Sequence, residues 1–350
     1  MIFRYDDEMG NEKSAFNIDD VVLKHNMGIV GSRSECSTSV TDSKGFTHNS
    51  PVVLSNMPCV QNDEILKIFR LYNWPYVLHR IQNQEDMTSP SYFYGCRILE
   101  YVKYCAENPV GLKSISIGVQ RGDMNLLERI VQRFGESCLD WITIDVSFIY
   151  SQNHEKFLKD VRKMFPNVYL IAGNFTTPDA VKWLYNLGVD CAKFGISTSL
   201  LCRTGAYTGF SSCASDLLDC ADVASHLPNG IELMQDGGVG VLNEETGECA
   251  TGDIFKYLNF GAKFIMSSSL FRWCPELADD GGNILQYGNS TSHAKGHTRN
   301  IEGAVKTFKN NGISVKNQMG KIVENIQSSI SFAGLKTLDN AYLSCKWNVL

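Results

Sequence analysis

The sequence predicts an α/β protein folded as a single (β/α)8 barrel, and three observations carry that expectation. Eight short apolar segments follow one another along the chain, several of them β-branched, as strands buried on both faces are. Amphipathic helical patterns lie between most of them. The turn after the first segment reads Ser55-Asn56-Met57-Pro58, without the G-x-G-x-x-G signature that the runner-up, an open doubly wound sheet, more often shows there.

The strands are expected at Val52–Ser55, Tyr76–His79, Ser114–Ile117, Trp141–Ile144, Val168–Ile171, Cys191–Phe194, Ile231–Met234 and Lys263–Met266. Met124 to Phe134 places Leu126, Leu127, Ile130 and Val131 on one helical face, and Glu155 to Met164 does the same with Phe157, Leu158 and Val161. A further helix opens at Pro178, with Thr177 as its N-cap and proline in the first turn. Ser215 to Ala224 and Asp253 to Leu258 supply the later helices. Residues 1–15 are expected to be a flexible N-terminal segment, and 16–350 one barrel domain with an active-site flap near 280–303.

Composition narrows the function. The 350 residues are 43% hydrophobic and 20% charged, enough for a large core. The net charge is -6 and no Lys/Arg block stands out, which argues against nucleic-acid binding. No apolar run approaches the roughly 18 residues of a membrane span, and the first residues carry no apolar signal core. A cytoplasmic protein without a membrane partner is the simplest expectation. Twelve cysteines are present, none in a C-x-x-C pair or at zinc spacing, so most are expected to be reduced and packed as small hydrophobes.

Barrels gather their chemistry on the loops at the C-terminal ends of the strands. In chain order those ends carry Asn56 and Met57, His79 and Arg80, Gly118, Asp145, Gly173-Asn174, the loop from Gly195 to Thr204, Asp236-Gly237-Gly238, and Ser267-Ser268-Ser269. Cys202 is a thiol in a polar loop with Thr204 two residues on, the arrangement that presents a nucleophile at a strand end. Asp145 equally fits a helix cap, and His79 equally fits a packed, hydrogen-bonded histidine. The Gly-Gly and triple-serine turns fall where barrels hold phosphate on backbone N–H groups.

These ends, in this order, resemble the IMP dehydrogenase/GMP reductase family over residues 16 to 335. Asp20-Val21-Val22-Leu23, Ser32-Arg33-Ser34-Glu35, Ser55-Asn56-Met57, Ile142-Thr143-Ile144-Asp145, Ile171-Ala172-Gly173-Asn174, Lys193-Phe194-Gly195-Ile196, Cys202-Arg203-Thr204, Asp236-Gly237-Gly238, Tyr287-Gly288, Glu302-Gly303 and Gln327-Ser328-Ser329-Ile330-Ser331 carry the match. Residues between His79 and Ser114 leave no room for the paired regulatory modules usual in the dehydrogenases, and their flap Arg-Tyr dyad is not evident. The resemblance therefore implies the reductase branch, which converts GMP to IMP and ammonia with NADPH. It implies Cys202, Thr204 and Asp145 as catalytic residues. It puts the nucleotide on Asn56, Met57, Asp236, Gly237, Gly238, Ser268, Ser269, Tyr287 and Gly288, and the cofactor on Arg80, Gly118, Asp145 and Asn174. A monovalent cation (K+) held by loop carbonyls near Gly195 and Cys202, and a homotetramer, are implied as well.

Several positions depart from the family pattern. Ser197 and Ser199 replace loop glycines, Arg203 stands beside the thiol, and Ser147-Phe148-Ile149 brings bulk to the nicotinamide region. A longer loop runs from Val239 to Thr251. The reductases' glutamate, paired with the threonine, is expected at position 292, which is serine here. That leaves His293 or Asp145 as substitutes in a working reductase. The alternative is a weak or inactive paralogue that binds a purine nucleotide or regulates active subunits, with a dehydrogenase as the third reading.

Overall fold

A computed structural model of the chain describes residues 3–6, 12–80, 94–198, 201–242, 248–295 and 301–350. Its centre is a seven-stranded parallel sheet of Val52–Leu54 (β1), Ser114–Ile117 (β2), Trp141–Asp145 (β3), Tyr169–Phe175 (β4), Cys191–Phe194 (β5), Glu232–Asp236 (β6) and Phe264–Ser267 (β7). The spatial order is β1-β7-β6-β5-β4-β3-β2, so consecutive strands are neighbours all the way round. The segment expected as the second of eight strands, around Tyr76–His79, closes the ring. It bridges Leu54 of β1 through Tyr76 and Ile115 of β2 through Leu78. Backbone bonds from Val77 to Leu54 (3.2 Å) and from Ser116 to Leu78 (2.9 Å) seal both seams. The (β/α)8 barrel expected from the sequence is the fold observed.

The helices between strands include Arg121–Phe134, Gln152–Met164, Pro178–Asn186, Ala214–His226 and Gly252–Asn259, each turning its apolar stripe to the sheet. Asp63–Leu71 and Tyr94–Glu107 belong to the first two units, and the long helix Val315–Phe332 closes the chain's last unit. Phe3–Asp6 pairs antiparallel with Glu12–Ala15, within the stretch 1–15 expected from the sequence to be a flexible segment.

The floor of the barrel is a plug of aromatic groups. Trp141, Tyr169 and Phe264 are the first residues of β3, β4 and β7, and all three are fully buried. A hairpin of Val40–Thr41 and Thr47–His48 lays His48 against them, 4.7 Å from the Trp141 ring and 5.6 Å from Phe264. Asp42, in the turn of that hairpin, accepts the Trp141 indole N–H at 2.7 Å. With the lower end filled, the cavity is left at the upper end, where the strands finish.

Candidate active site

A cavity of about 1160 Å³ opens at the C-terminal strand ends. Ser55, Asn56 and Met57 form one wall, and Arg80, Asp145 and Asn174 a second. Gly195, Cys202, Thr204, Asp236, Gly237, Ser268 and Gly288 complete the sequence-predicted set that lines it.

The loop after β5 is shaped by two glycines, Gly195 and Gly205. Gly195 has φ +124°, and a Cβ there would lie 3.1 Å from the Asp236 carbonyl. Ser197 then adopts φ +62°, a left-handed conformation that L residues rarely take. Its hydroxyl accepts from the Gly205 N–H at 3.2 Å. A Cβ on Gly205 would come within 2.9 Å of that hydroxyl, so glycine at 205 makes room for serine at 197. The Thr198 hydroxyl donates to the Asp236 carbonyl, and Ser212 donates to the Ile196 carbonyl from both its backbone N–H (3.1 Å) and its hydroxyl (3.2 Å). Hydroxyl contacts thus hold a loop in which the family pattern uses small glycines. Ser199 lies outside the described residues.

The thiol faces the second arm of a hairpin formed by Asn283–Tyr287 and Val305–Lys309. Cys202 and Gly303 form an antiparallel bridge, with Arg203 N–H donating to the Glu302 carbonyl at 2.7 Å and Ala304 N–H to the Leu201 carbonyl at 2.9 Å. That clamp sets three side chains in a row. The Cys202 Sγ lies 3.3 Å from Thr204 Oγ1, and Thr204 Oγ1 donates to Glu302 Oε2 at 2.8 Å. The carboxylate that faces Thr204 in the structure is Glu302. Ser292 is exposed at the start of a short helix, Ser292–Lys295, and does not line the cavity. His293 packs on the Tyr287 ring at 4.4 Å, also away from the cavity lining.

Across the cavity, Asp145 ends β3. Burial pushes its carboxyl up, and the neighbouring Lys193 ammonium and Arg80 guanidinium overcome that and hold it below the usual carboxylate range. Arg80 Nη2 donates to the Asp145 carbonyl at 3.0 Å. Gly118 stands behind Arg80: a Cβ there would meet Arg80 Nη1 at 3.1 Å and Asp123 Oδ2 at 2.9 Å. It does not line the cavity, and neither do Gly238, Ser269 and Tyr287. Ser269 spends its hydroxyl on the Val239 carbonyl. Tyr287 is buried behind Gly288, its carbonyl accepting from the Cys59 thiol. His79 is a packed histidine within hydrogen-bond distance of Arg97 Nη1 (3.2 Å).

The departures that threatened the site leave it open. Phe148 is 53% exposed and packs edge-to-face in a row with Tyr150 and Trp183, and only Val146 and Ser147 of that segment line the cavity. Arg203 is exposed and outside the lining. In the longer loop, Val241–Leu242 pairs with Cys249–Ala250, and residues 243–247 lie outside the described residues.

Two groups implied by the resemblance can be tested against the donor chemistry. Arg80 Nε and Asn289 Oδ1, both on cavity residues, are buried without a hydrogen-bond partner among the described residues, the kind of group a bound polar ligand satisfies. The Gly195 carbonyl, expected near a monovalent cation, accepts from Asn174 Nδ2 at 2.6 Å. No step below depends on a cation.

Glu302 and Lys193 are the two residues the strand-end reading passed over. Lys193 was legible as a lone charge inside an apolar strand, and Glu302 as half of the Glu302-Gly303 match.

The comparisons with known proteins agree over nearly the whole chain. A family model described as the IMP dehydrogenase / GMP reductase domain matches residues 15–343. A protein of Staphylococcus epidermidis named GMP reductase is 32% identical over 332 residues, covering 92% of this chain and 93% of the relative. Proteins of the same name from Oceanobacillus iheyensis and Mesoplasma florum are 30% and 32% identical, covering 93% of this chain in each case and 93% and 94% of their own lengths.

Proposed function

The chain belongs to the IMP dehydrogenase/GMP reductase family, and we propose that it is a GMP reductase, converting GMP to IMP and ammonia with NADPH through a covalent Cys202 adduct at purine C2. The observation that carries the reading is the row Cys202–Thr204–Glu302 on the cavity wall. A thiol facing a hydroxyl that itself faces a carboxylate gives a path for one proton, and this reaction needs that path.

The proton accounting closes. The Cys202 thiol passes its proton through Thr204 to Glu302, and the sulfur adds to C2, an electron-poor carbon. Glu302 returns the same proton through Thr204 to the 2-amino group, which leaves as ammonia while the S–C2 bond remains. The reduced nicotinamide, when bound, supplies the hydride that takes the amine's place at C2. Breaking the S–C2 bond then frees IMP and restores Cys202 as the thiolate, which regains a proton from solvent. Asp145 and Arg80 bind the cofactor side of the cavity, Asp236 and the Gly237 and Ser268 turns the nucleotide side. Homotetrameric assembly and a cytoplasmic site of action belong to the same proposal.

The inactive-paralogue reading rests on serine at position 292 and on the rebuilt glycine loop. Glu302 beside Thr204 supports the working reductase over that reading. Mixing the protein with GMP and NADPH and following NADPH absorbance tests the proposal. Oxidation that depends on GMP and vanishes in Cys202→Ala is expected. Equal rates with and without Cys202, or none in the wild type, overturn it, and parallel IMP and NAD report any dehydrogenase activity.

A further inference from the structure

Lys193 is a charged side chain at the third position of β5, 1% exposed, in a strand that otherwise reads Cys-Ala-Phe. Burying an ammonium costs several kcal/mol unless its charge and N–H donors are met. Here they are met twice. The ammonium lies 3.0 Å from Asp145 Oδ1 and in contact with Asp236 Oδ2. Asp145 ends β3 and Asp236 ends β6, two strands that are not neighbours, with β4 and β5 between them. The same Asp236 oxygen accepts from Asn174 Nδ2 at 2.8 Å, and that nitrogen also reaches the Gly195 carbonyl at 2.6 Å. One buried cation therefore ties together two carboxylates that both line the cavity and would repel each other without it.

Those carboxylates serve opposite halves of the cavity in the reductase reading, on which this step rests: Asp236 the nucleotide, Asp145 the cofactor. We infer that Lys193 is a positioning residue that joins the two half-sites, so that occupancy of the nucleotide half changes affinity in the cofactor half. The physical basis is competition for one ammonium. A ribose hydroxyl donating to Asp236 satisfies part of that carboxylate's demand and leaves Lys193 and Asp145 to tighten together. The aim of Asp145 at the cofactor then depends on whether nucleotide is present. A lysine suits this better than an arginine, being a compact point charge with three donors that two acceptors can share. Coupling between sites is reciprocal, so cofactor binding strengthens or weakens nucleotide binding by the same factor.

The test is the dissociation constant of NADPH with and without saturating IMP, the product nucleotide, which avoids turnover. The wild type is expected to show a shift of about 5-fold or more, the lower range of measured site-to-site coupling. Lys193→Met brings the ratio to within 2-fold of one, and Lys193→Arg restores part of it, as loss of fold would not. Asp236→Asn, which keeps the side-chain shape and breaks one arm of the bridge, removes the coupling in the same way if Lys193→Met fails to fold. Turnover of GMP with a wild-type ratio of one, or with the ratio retained in Lys193→Met or Asp236→Asn, overturns the inference alone. A wild type that binds no IMP and oxidises no NADPH overturns both this inference and the reductase reading.

Discussion

Replacing Glu302 by glutamine isolates the proton path. Glutamine keeps the size of the side chain and an amide oxygen where Oε2 accepts from the Thr204 hydroxyl at 2.8 Å, so the Thr204 contact and the melting temperature are expected to hold. What glutamine cannot do is take the thiol proton and return it to the departing amine. General acid–base catalysis contributes about 10²–10⁴ in rate. At 1.36 kcal/mol per tenfold, that is about 3–5 kcal/mol of barrier. The loss should fall on kcat, with the KM for GMP within a few-fold of wild type, because Glu302 acts on the bond-breaking step. Ser292→Ala is the control: Ser292 is exposed and outside the cavity, so its kcat should stay within about 2-fold of wild type. The assay is NADPH absorbance at saturating GMP and cofactor, with circular dichroism to confirm the fold. A Glu302→Gln enzyme within 3-fold of wild-type kcat, or a Ser292→Ala enzyme impaired as severely, would refute the assignment of the acid to position 302.

Two further outcomes follow from the frame around the site. Burial holds His48 below its usual pKa, against the pull of Asp42, so the folded state keeps it neutral where the unfolded chain takes up a proton. Stability should therefore fall as pH drops below about 6.5, by up to ~1.4 kcal/mol per unit, and His48→Phe should flatten melting temperature against pH between about 6.5 and 5; an unchanged slope would count against it. Gly205→Ala places a Cβ 2.9 Å from the Ser197 hydroxyl and 3.2 Å from the Phe210 carbonyl, and should cost about 1–3 kcal/mol and most of the activity. Adding Ser197→Gly removes the clash with the Ser197 side chain and the left-handed strain but leaves the Phe210 carbonyl contact, so the double variant should recover part of the loss; strict additivity in melting temperature and kcat would show that the two positions are not coupled.

The barrel was legible because its signal is local. Strands buried on both faces, such as Trp141–Asp145 and Tyr169–Phe175, are apolar over most of their length, and helices packed on them are amphipathic, so residue type follows position within a few residues. Even the second strand, which is only a pair of bridges at Tyr76 and Leu78, was visible as Tyr76–His79 because burial selects the same residues however few hydrogen bonds they make. The hairpin that plugs the floor gave no such signal: one histidine and one aspartate in a polar stretch become buried only because Trp141, Tyr169 and Phe264 converge beneath them.

The site divides along the same line. Cys202 and Thr204 are two residues apart, and their contact at 3.3 Å follows from one loop. Thr204 and Glu302 are 98 residues apart, and no spacing along the chain relates them. Their meeting is set by the Cys202–Gly303 bridge, two backbone hydrogen bonds that align one arm of a distant hairpin against the nucleophile loop. Counting on from Tyr287-Gly288 leads to Ser292, in the short helix after the first arm; Glu302 stands just before the second arm, in the stretch that the thiol loop pairs with. A carboxylate reaching the cavity from a distant hairpin is thus placed by strand register, which residue types alone do not encode.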